Sequence, residues 1–385
     1  MDEIIIAGIG QTPVAEHWDL SLRSLAVKAA RTAIADSGGL QPQALYVGNL
    51  LASTLSRQAN LGTLVADQLA LSGIEAVSVE AAGASGAAAL RMGFLAVLSG
   101  AVDRALVVGV EKCTDVPSAA LENAISEATD NDYEGAQGLT QTAQAALLMQ
   151  RYLHDNNAPA DALSGFPLLA HENGVTNPNA FFQKALKPEN YTRAPQVSPP
   201  LSLLDAAPYA DGAAAVLLTR RSSLLEAHNA PLVRLTASSI AIDALALHDR
   251  PDPLAFAAAA RSAGQALTRA GHLPEDFDFF ELTDAFSIYA ALSLEACGFA
   301  PRGQGWRMAQ SGALRRAGRL PISTFGGYKA RGNPLSASGL YQVVEAVLQM
   351  RGAAGPNQVP DVRLALVQTL GGPASTAVTH VLELV

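Results

Sequence analysis

The residues best placed to do chemistry in this 385-residue chain lie at two helix starts. Ala84-Ser85-Gly86 and Ala337-Ser338-Gly339 each follow a loop and open an amphipathic segment. Small side chains there let a ligand approach backbone N–H groups at the positive end of a helix, where an oxyanion or thioester carbonyl could be held. The same residues would equally serve two helices that cross closely. Nucleophiles are scarce. Of the two cysteines, Cys113 follows an apolar strand and Cys297 ends a helix. Neither has the helix N-terminus and basic neighbour that activate a thiolate, so both read as small buried hydrophobes. Ser85 and Ser336 flank the helix starts and read as capping hydroxyls. Gly8-Ile9-Gly10 follows a strand, but a dinucleotide fingerprint would need a glycine where Pro13 stands. Gly303-Gln304-Gly305 sits among Arg302, Arg307, Arg315 and Arg316, a solvated basic face that could contact phosphates.

The elements that must position these residues occur twice. Residues 24–50 and 257–283 both read as an Ala-rich helix closed by glycine (Gly38, Gly271), then a leucine, a proline and a short strand. Residues 83–111 and 336–372 both read as the Ala-Ser-Gly helix followed by a continuous apolar strand, the pattern of a strand buried on both faces. Two pairs in the same order indicate a duplication, with halves at 1–225 and 230–385. Each half opens with a strand, at 3–9 and 231–238. Strands alternating with helices imply right-handed crossovers and a mainly parallel sheet, giving an α/β fold. The first half carries an insertion at about 112–210, long enough to be a lid or substrate-covering element.

Three stretches then resemble the catalytic blocks of thiolases: VSVEAAGASGAAAL (77–90), ELTDAFSIYAALSLEACGF (281–299) and GGYKARGNPLSASGLYQ (326–342). The sequence is most similar to the sterol-carrier-protein-x and archaeal acetoacetyl-CoA thiolase branch. GVEKCTD (109–115), NPNAFF (177–182), PLSLLDAAPYADGAAAVLL (200–218) and ALHDRPD (246–252) agree with it. The resemblance implies a duplicated five-layered αβαβα fold with mixed sheets, a coenzyme A thioester as substrate or ligand, no covalently bound cofactor, and a homodimer or higher oligomer. In this family the first block carries a nucleophilic cysteine, the second usually begins HDxF and the third GHPxGxSG. Here those positions hold Gly83, Thr283 and Asn333, and Ala285 replaces a second cysteine found in some relatives.

Each substitution has a chemical consequence. Glycine cannot form an acyl-thioester. Asparagine does not titrate near neutrality and cannot act as general base. Thr283 retains one hydroxyl donor for a carbonyl. The family's backbone oxyanion site would persist at Gly83 and Gly372. Asp284, Tyr328 and His248 remain as candidate acids or bases, with His171 a further histidine in a family-like segment; a structural role is the competing reading for each.

Function classes follow. A net charge of −9 argues against nucleic acid and anionic membranes as partners. Two cysteines exclude a disulfide framework and a Cys-rich zinc site. MDEIIIAGIG runs straight into a strand, so a cytoplasmic protein without a signal peptide is expected, and no run of about 18 apolar residues suggests a membrane span. Three readings remain: a thiolase-like acyl-CoA binder without Cys-dependent acetyl transfer, a retro-aldolase-like carbon–carbon lyase working with a small OB-fold/zinc-ribbon partner, and an acetyl-CoA acetyltransferase altered at its nucleophile position.

Overall fold

The computed structural model describes residues 2–224 and 230–385; the boundary expected just after residue 225 falls outside the described residues. The first half contributes β1 (Ile4–Gln11), α1 (Leu22–Asp36), β2 (Ala44–Gly48), α2 (Ala52–Leu55), α3 (Leu61–Gln68), β3 (Glu75–Val79), α4 (Ser85–Ser99) and β4 (Arg104–Glu111). The insertion holds α5 (Ser118–Ser126), α6 (Gln141–Asp155), α7 (Gly165–Gly174), α8 (Pro188–Thr192), β5 (Gln196–Ser198) and β6 (Leu201–Ser202), before β7 (Gly212–Arg220). The second half comprises β8 (Val233–Ile242), α9 (Ala257–Ala270), β9 (Phe279–Glu281), α10 (Ser287–Ala296), α11 (Gly305–Ser311), α12 (Ser338–Met350), β10 (Leu364–Gly371) and β11 (Thr376–Leu384).

Nine strands form one sheet in the order β3-β2-β4-β7-β1-β8-β11-β10-β9. Read from the centre outwards, β1-β7-β4-β2 and β8-β11-β10-β9 are the same arrangement twice. The halves meet at β1 and β8 through only Ile5–Arg234 and Ile6–Val233. The second half's counterpart of β3 is reduced to a single bridge between Phe280 and Ile322. The sheet is mixed. Pairing is parallel at β2–β3, β2–β4 and β9–β10, and antiparallel at the five inner junctions. Parallel pairing is thus confined to the outer strands, each reached through a helical crossover.

Helices make the remaining layers. In α1, Ser21 accepts from the Ser24 N–H, and Leu22, Leu25, Ala26, Ala29, Ala30 and Ala33 form one buried stripe against β1 and β7. A Cβ at Gly8 would lie 2.0 Å from the Ala33 oxygen and one at Gly10 2.3 Å from Ala29's, so this glycine pair seats a helix rather than a dinucleotide. Helix α9 packs likewise on β8 and β11. Between the half-sheets lie α4, touching β2, β4, β8 and β11, and α12, touching β1, β7, β9 and β10. Five layers result. The 18-residue window Ala82–Ser99 is apolar enough to cross a membrane, but it is this central-layer helix, 61% buried within the protein.

The two central helices approach backbone to backbone. A Cβ at Gly86 would stand 2.5 Å from the Ser336 carbonyl oxygen, and one at Gly339 3.0 Å from the Ala87 Cβ. Gly86→Ala should therefore lower the urea midpoint, costing about 1–3 kcal/mol through overpacking. Gly264→Ala, whose methyl meets nothing within 4 Å on α9, should be neutral or gain up to ~1 kcal/mol. Equal midpoints for the two variants would mean that the central layer yields freely.

Candidate functional site

The repeat builds the same strained turn twice. Ala82 (φ 51°) precedes Gly83 at the start of α4, and Leu335 (φ 38°) precedes Ser336 at the start of α12. Both are non-glycine residues in left-handed backbone, a cost that surrounding contacts must sustain. At the first turn Ser85 Oγ accepts from the Ala81 N–H (2.9 Å) and donates to the Ala82 carbonyl (2.6 Å). Ser85 thus braces the loop instead of capping the helix. At the second, Ser336 Oγ donates to the Val110 carbonyl and to the Glu111 carboxylate. Ser336 is a tie to a buried glutamate, so the capping role expected of these serines is replaced by loop bracing at both.

Gly83 is partly exposed, and its backbone is not left-handed. A Cβ there would meet only the Leu370 carbonyl oxygen, at 3.1 Å. The β10–β11 turn lies against this loop: a Cβ at Gly371 would stand 2.7 Å from the Ala81 oxygen. Gly372 follows with φ 56°, its Cβ position 4.0 Å from Gln141 Nε2 on α6. Among the described residues, neither the Gly83 nor the Gly372 N–H donates to a protein group. The Gly83 and Gly372 loops, one from each half, thus meet at one junction, and neither N–H has a protein acceptor among the described residues.

Thr283 sits behind that junction. Its Oγ1 accepts from the Leu370 N–H (3.0 Å) and lies 3.2 Å from the Tyr328 hydroxyl and 3.4 Å from the Gln368 carbonyl. Its hydroxyl therefore has protein acceptors within reach, which compete with the bound carbonyl that the sequence reading offered it. Burial drives the Tyr328 phenol well above its ordinary range. Asn333 Oδ1 accepts from Ser338 Oγ (3.1 Å) at the foot of α12. Thr283 is thus tied to Leu370 and Tyr328 and Asn333 to Ser338, so the two family positions other than Gly83 are filled by hydrogen-bonded side chains.

The candidate acids and bases separate. Asp284 accepts from the Tyr328 N–H (2.7 Å) and Ser323 Oγ (3.1 Å), so its carboxylate clamps the turn that carries Tyr328. Burial raises it to about 6, against the hydrogen bond from Tyr328 and the nearby Arg331 charge. His248 lies on the turn Leu247–Asp249, 56% exposed beside Asp249, its ring 6.0 Å from that of Tyr133. It takes no part in the hydrogen bonds of Thr283 and Asn333, and its turn is anchored by the Leu247 N–H bond to Glu134 Oε1. His171 is buried in α7, stacked on Phe182, with Nδ1 at the Lys184 carbonyl; desolvation lowers its pKa. Cys113 and Cys297 are buried, and desolvation raises both thiols, Cys297's to about 12.

One wall of the site was not foreseen as such. The insertion's returning segment threads between the second and third blocks: Ala207 N–H bonds the Ala285 carbonyl (2.8 Å), and Asn333 N–H bonds Pro208's (2.9 Å). Lys329 donates to the Leu203 and Ala206 carbonyls, and burial lowers its pKa to about 8. The motif PLSLLDAAPYADG carried this signal as a family likeness, but nothing in its residue types marks a wall.

The fold and site define a duplicated α/β protein in which the starts of two central helices meet beside the β10–β11 turn. Residues 4–222 match the thiolase N-terminal domain and 239–384 the thiolase C-terminal domain-like family. The chain belongs to the thiolase family. It is 37% identical over 383 residues, 99% of each chain, to the acetyl-CoA acetyltransferase of Methanothermobacter thermautotrophicus. It is 27% identical over 376 residues, 94% of this chain and 95% of the other, to the 17-hydroxy-3-oxo-4-pregnene-20-carboxyl-CoA lyase of Mycobacterium tuberculosis. Among solved structures, an Ltp2-ChsH2(DUF35) aldolase superposes with a TM-score of 0.86 at 22% identity, over 99% of this chain and 98% of that one.

Glu111 gives the site a measurable pH signature. It accepts from Asn49 Nδ2, the Leu50 and Leu51 N–H groups and Ser336 Oγ, yet burial raises it to about 7. A carboxyl raised above its unfolded value stabilises fully below that value and loses this contribution as pH rises through about 7. Glu111→Gln should cost about 1–3 kcal/mol, because its amide NH₂ faces donors. Its urea midpoint should also fall less than the parent's between pH 5 and 8. A parallel fall in both proteins would remove Glu111 as the titrating group.

Proposed function

We propose that this chain binds a β-ketoacyl- or β-hydroxyacyl-CoA thioester with its carbonyl at the Gly83 and Gly372 amides, and that it does so without forming an acyl-enzyme. The observation that carries this reading is position 83. The loop there has ordinary backbone and room for a side chain, yet holds glycine, while Ser85, Ser336 and both cysteines are tied up or buried. With asparagine at 333 there is also no base to generate a thiolate. What remains can polarise a thioester carbonyl and stabilise negative charge on its oxygen. A cytoplasmic homodimer belongs to the same reading: β3 is a sheet edge with Val77 43% exposed, and Met92 and Leu95 of α4 are exposed as well.

Calorimetry with acetoacetyl-CoA should show saturable binding, and intact-mass spectrometry after incubation with acetyl-CoA should show no adduct. Gly83→Cys should become alkylatable by iodoacetamide yet recover little thiolysis, since position 333 would still lack a base. Absence of binding, or an acetyl adduct on the unaltered chain, would overturn the reading.

Lyase chemistry is the second reading, favoured by the clamped Asp284–Tyr328 pair and by likeness to a CoA lyase. The β-hydroxyl of a β-hydroxyacyl thioester would lose its proton to Asp284 by this reading, with the Tyr328 phenol, kept protonated by burial, as the candidate acid. The Cα–Cβ bond would then break, the β-carbon leaving as a ketone or aldehyde, and the electron pair would become a thioester enolate held at the two amides until Cα is protonated. A small OB-fold/zinc-ribbon protein would be the partner. No carbonyl release from β-hydroxyacyl-CoA with that partner present would remove this reading and leave the binding reading standing.

A further inference from the structure

Two cations converge on one atom at an open sheet edge. Strand β1 begins at Ile4 and pairs with β8 only through Ile5–Arg234 and Ile6–Val233. Beyond Leu235, β8's outer edge therefore has no neighbouring strand among the described residues. Carbonyls on such an edge must be satisfied from elsewhere. Arg91 of α4 and Arg269 of α9 do this together: both donate through Nη1 to the Ser238 carbonyl, Arg269 at 3.0 Å. Helix α4 lies in the central layer and α9 in the outer one, so the two guanidinium groups come round the edge from either side and stand next to each other. Arg261, about two turns before Arg269 on α9, reaches the Ile242 carbonyl further along the same edge at 3.5 Å.

The groups around this pair bring no counter-charge. Among the described residues neither guanidinium has a carboxylate partner, and burial together with the Arg269 charge lowers the pKa of half-buried Arg91. Ser239 Oγ donates to Gln265 Oε1 on α9 (2.6 Å), so Ser238, the preceding residue on the strand, faces α4. Ser238 stands directly opposite His380 of β11, and both are buried. Ser238 Oγ and the two ring nitrogens of His380 have no hydrogen-bond partner. Burial lowers the imidazole to about 3, with the Arg91 charge acting in the same direction, so His380 is neutral near pH 7. Like charges held at a shared oxygen repel, and each guanidinium keeps further N–H groups to give. We infer that Arg91 and Arg269 form a site for a small free oxyanion of the phosphate class, seated at the β8 edge and bridging the two side chains. Phosphate suits the pair because its oxygens accept from two guanidinium groups at once and its double charge offsets both. Bound there, it ties α4, the helix that starts beside Gly83, to α9 across the open edge.

The test uses inorganic phosphate on the full chain, against chloride at matched ionic strength so that screening is equal. Phosphate should raise the melting temperature with a saturating dose dependence, and calorimetry should show one site per chain. Arg91→Gln and Arg269→Gln should each weaken phosphate binding at least about tenfold. Arg151→Gln, at an exposed arginine on α6, should leave it unchanged. In chloride alone Arg269→Gln should melt no lower than the parent, because it removes one of two repelling charges; an arginine that served only to cap the Ser238 carbonyl would cost stability when replaced. Acetoacetyl-CoA should bind equally with and without saturating phosphate. A response to phosphate that never saturates, or unchanged binding in both variants, would overturn the site. Competition between phosphate and acetoacetyl-CoA would overturn the free oxyanion and assign the arginines to the phosphates of coenzyme A. Loss of self-association in both variants, with no effect of phosphate, would overturn it in favour of a carboxylate from a second copy of the chain.

Discussion

The close passage of two helix starts in the middle layer is the constraint on which the rest depends. Gly86 stands where any side chain would strike the Ser336 carbonyl, and a Cβ at Gly48 on β2 would lie 2.5 Å from the Gly86 Cα. Strand β2, helix α4 and the α12 start are therefore stacked without side chains between them. This packing lets the Gly83 loop and the Leu370–Gly372 turn touch, although they come from opposite halves. It also explains the composition: 5% aromatic residues against 32 glycines is what backbone-to-backbone layers demand.

Beneath the site lies a buried charge cluster that fixes the third block. Arg331 is fully buried, bonded to Glu345 Oε2 at 3.0 Å, with its guanidinium 5.3 Å from the Tyr328 ring and 5.1 Å from that of Tyr341. Glu281 accepts from the Thr324 N–H and hydroxyl, and burial together with the Glu345 charge pushes it upward. One cation among three acidic side chains stays balanced only if some carboxyls keep their protons, and desolvation raises Glu281, Glu345 and Asp284 alike. The consequence is positional. The π-helical turn Gly327–Arg331 is held at both ends, by Asp284 on the Tyr328 N–H and by Glu345 on Arg331. Tyr328 and Asn333 thereby keep their places without a ligand.

How much of this could be read in the chain depended on whether a signal was local. The duplication was legible because Gly38 and Gly271, and the two Ala-Ser-Gly starts, are periodic features of the sequence. Gly83, Thr283 and Asn333 were legible as departures from a family pattern. What Thr283 does was not, because its partner is the Leu370 N–H, 87 residues away. The wall formed by residues 206–210 was hidden for the same reason: its contacts to Ala285 and Asn333 are backbone hydrogen bonds, which no side-chain type announces.

Because the repeat places Ser336 where the first half has Gly83, the two helix starts can be compared as one design used twice. Both keep the left-handed residue before the turn, and both keep Ala-Ser-Gly after it. They differ in what fills the turn. In the second half a serine hydroxyl reaches Glu111, which is itself satisfied by Asn49, Leu50 and Leu51, so that turn is closed and wholly structural. In the first half Gly83 contributes no side chain, and Ser85 ties the turn internally through the Ala81 N–H and the Ala82 carbonyl. The asymmetry between Gly83 and Ser336 is therefore one of closure: a side chain tied to Glu111 fills the second turn, while the first leaves room beside Gly83, where an added Cβ would meet only the Leu370 carbonyl oxygen.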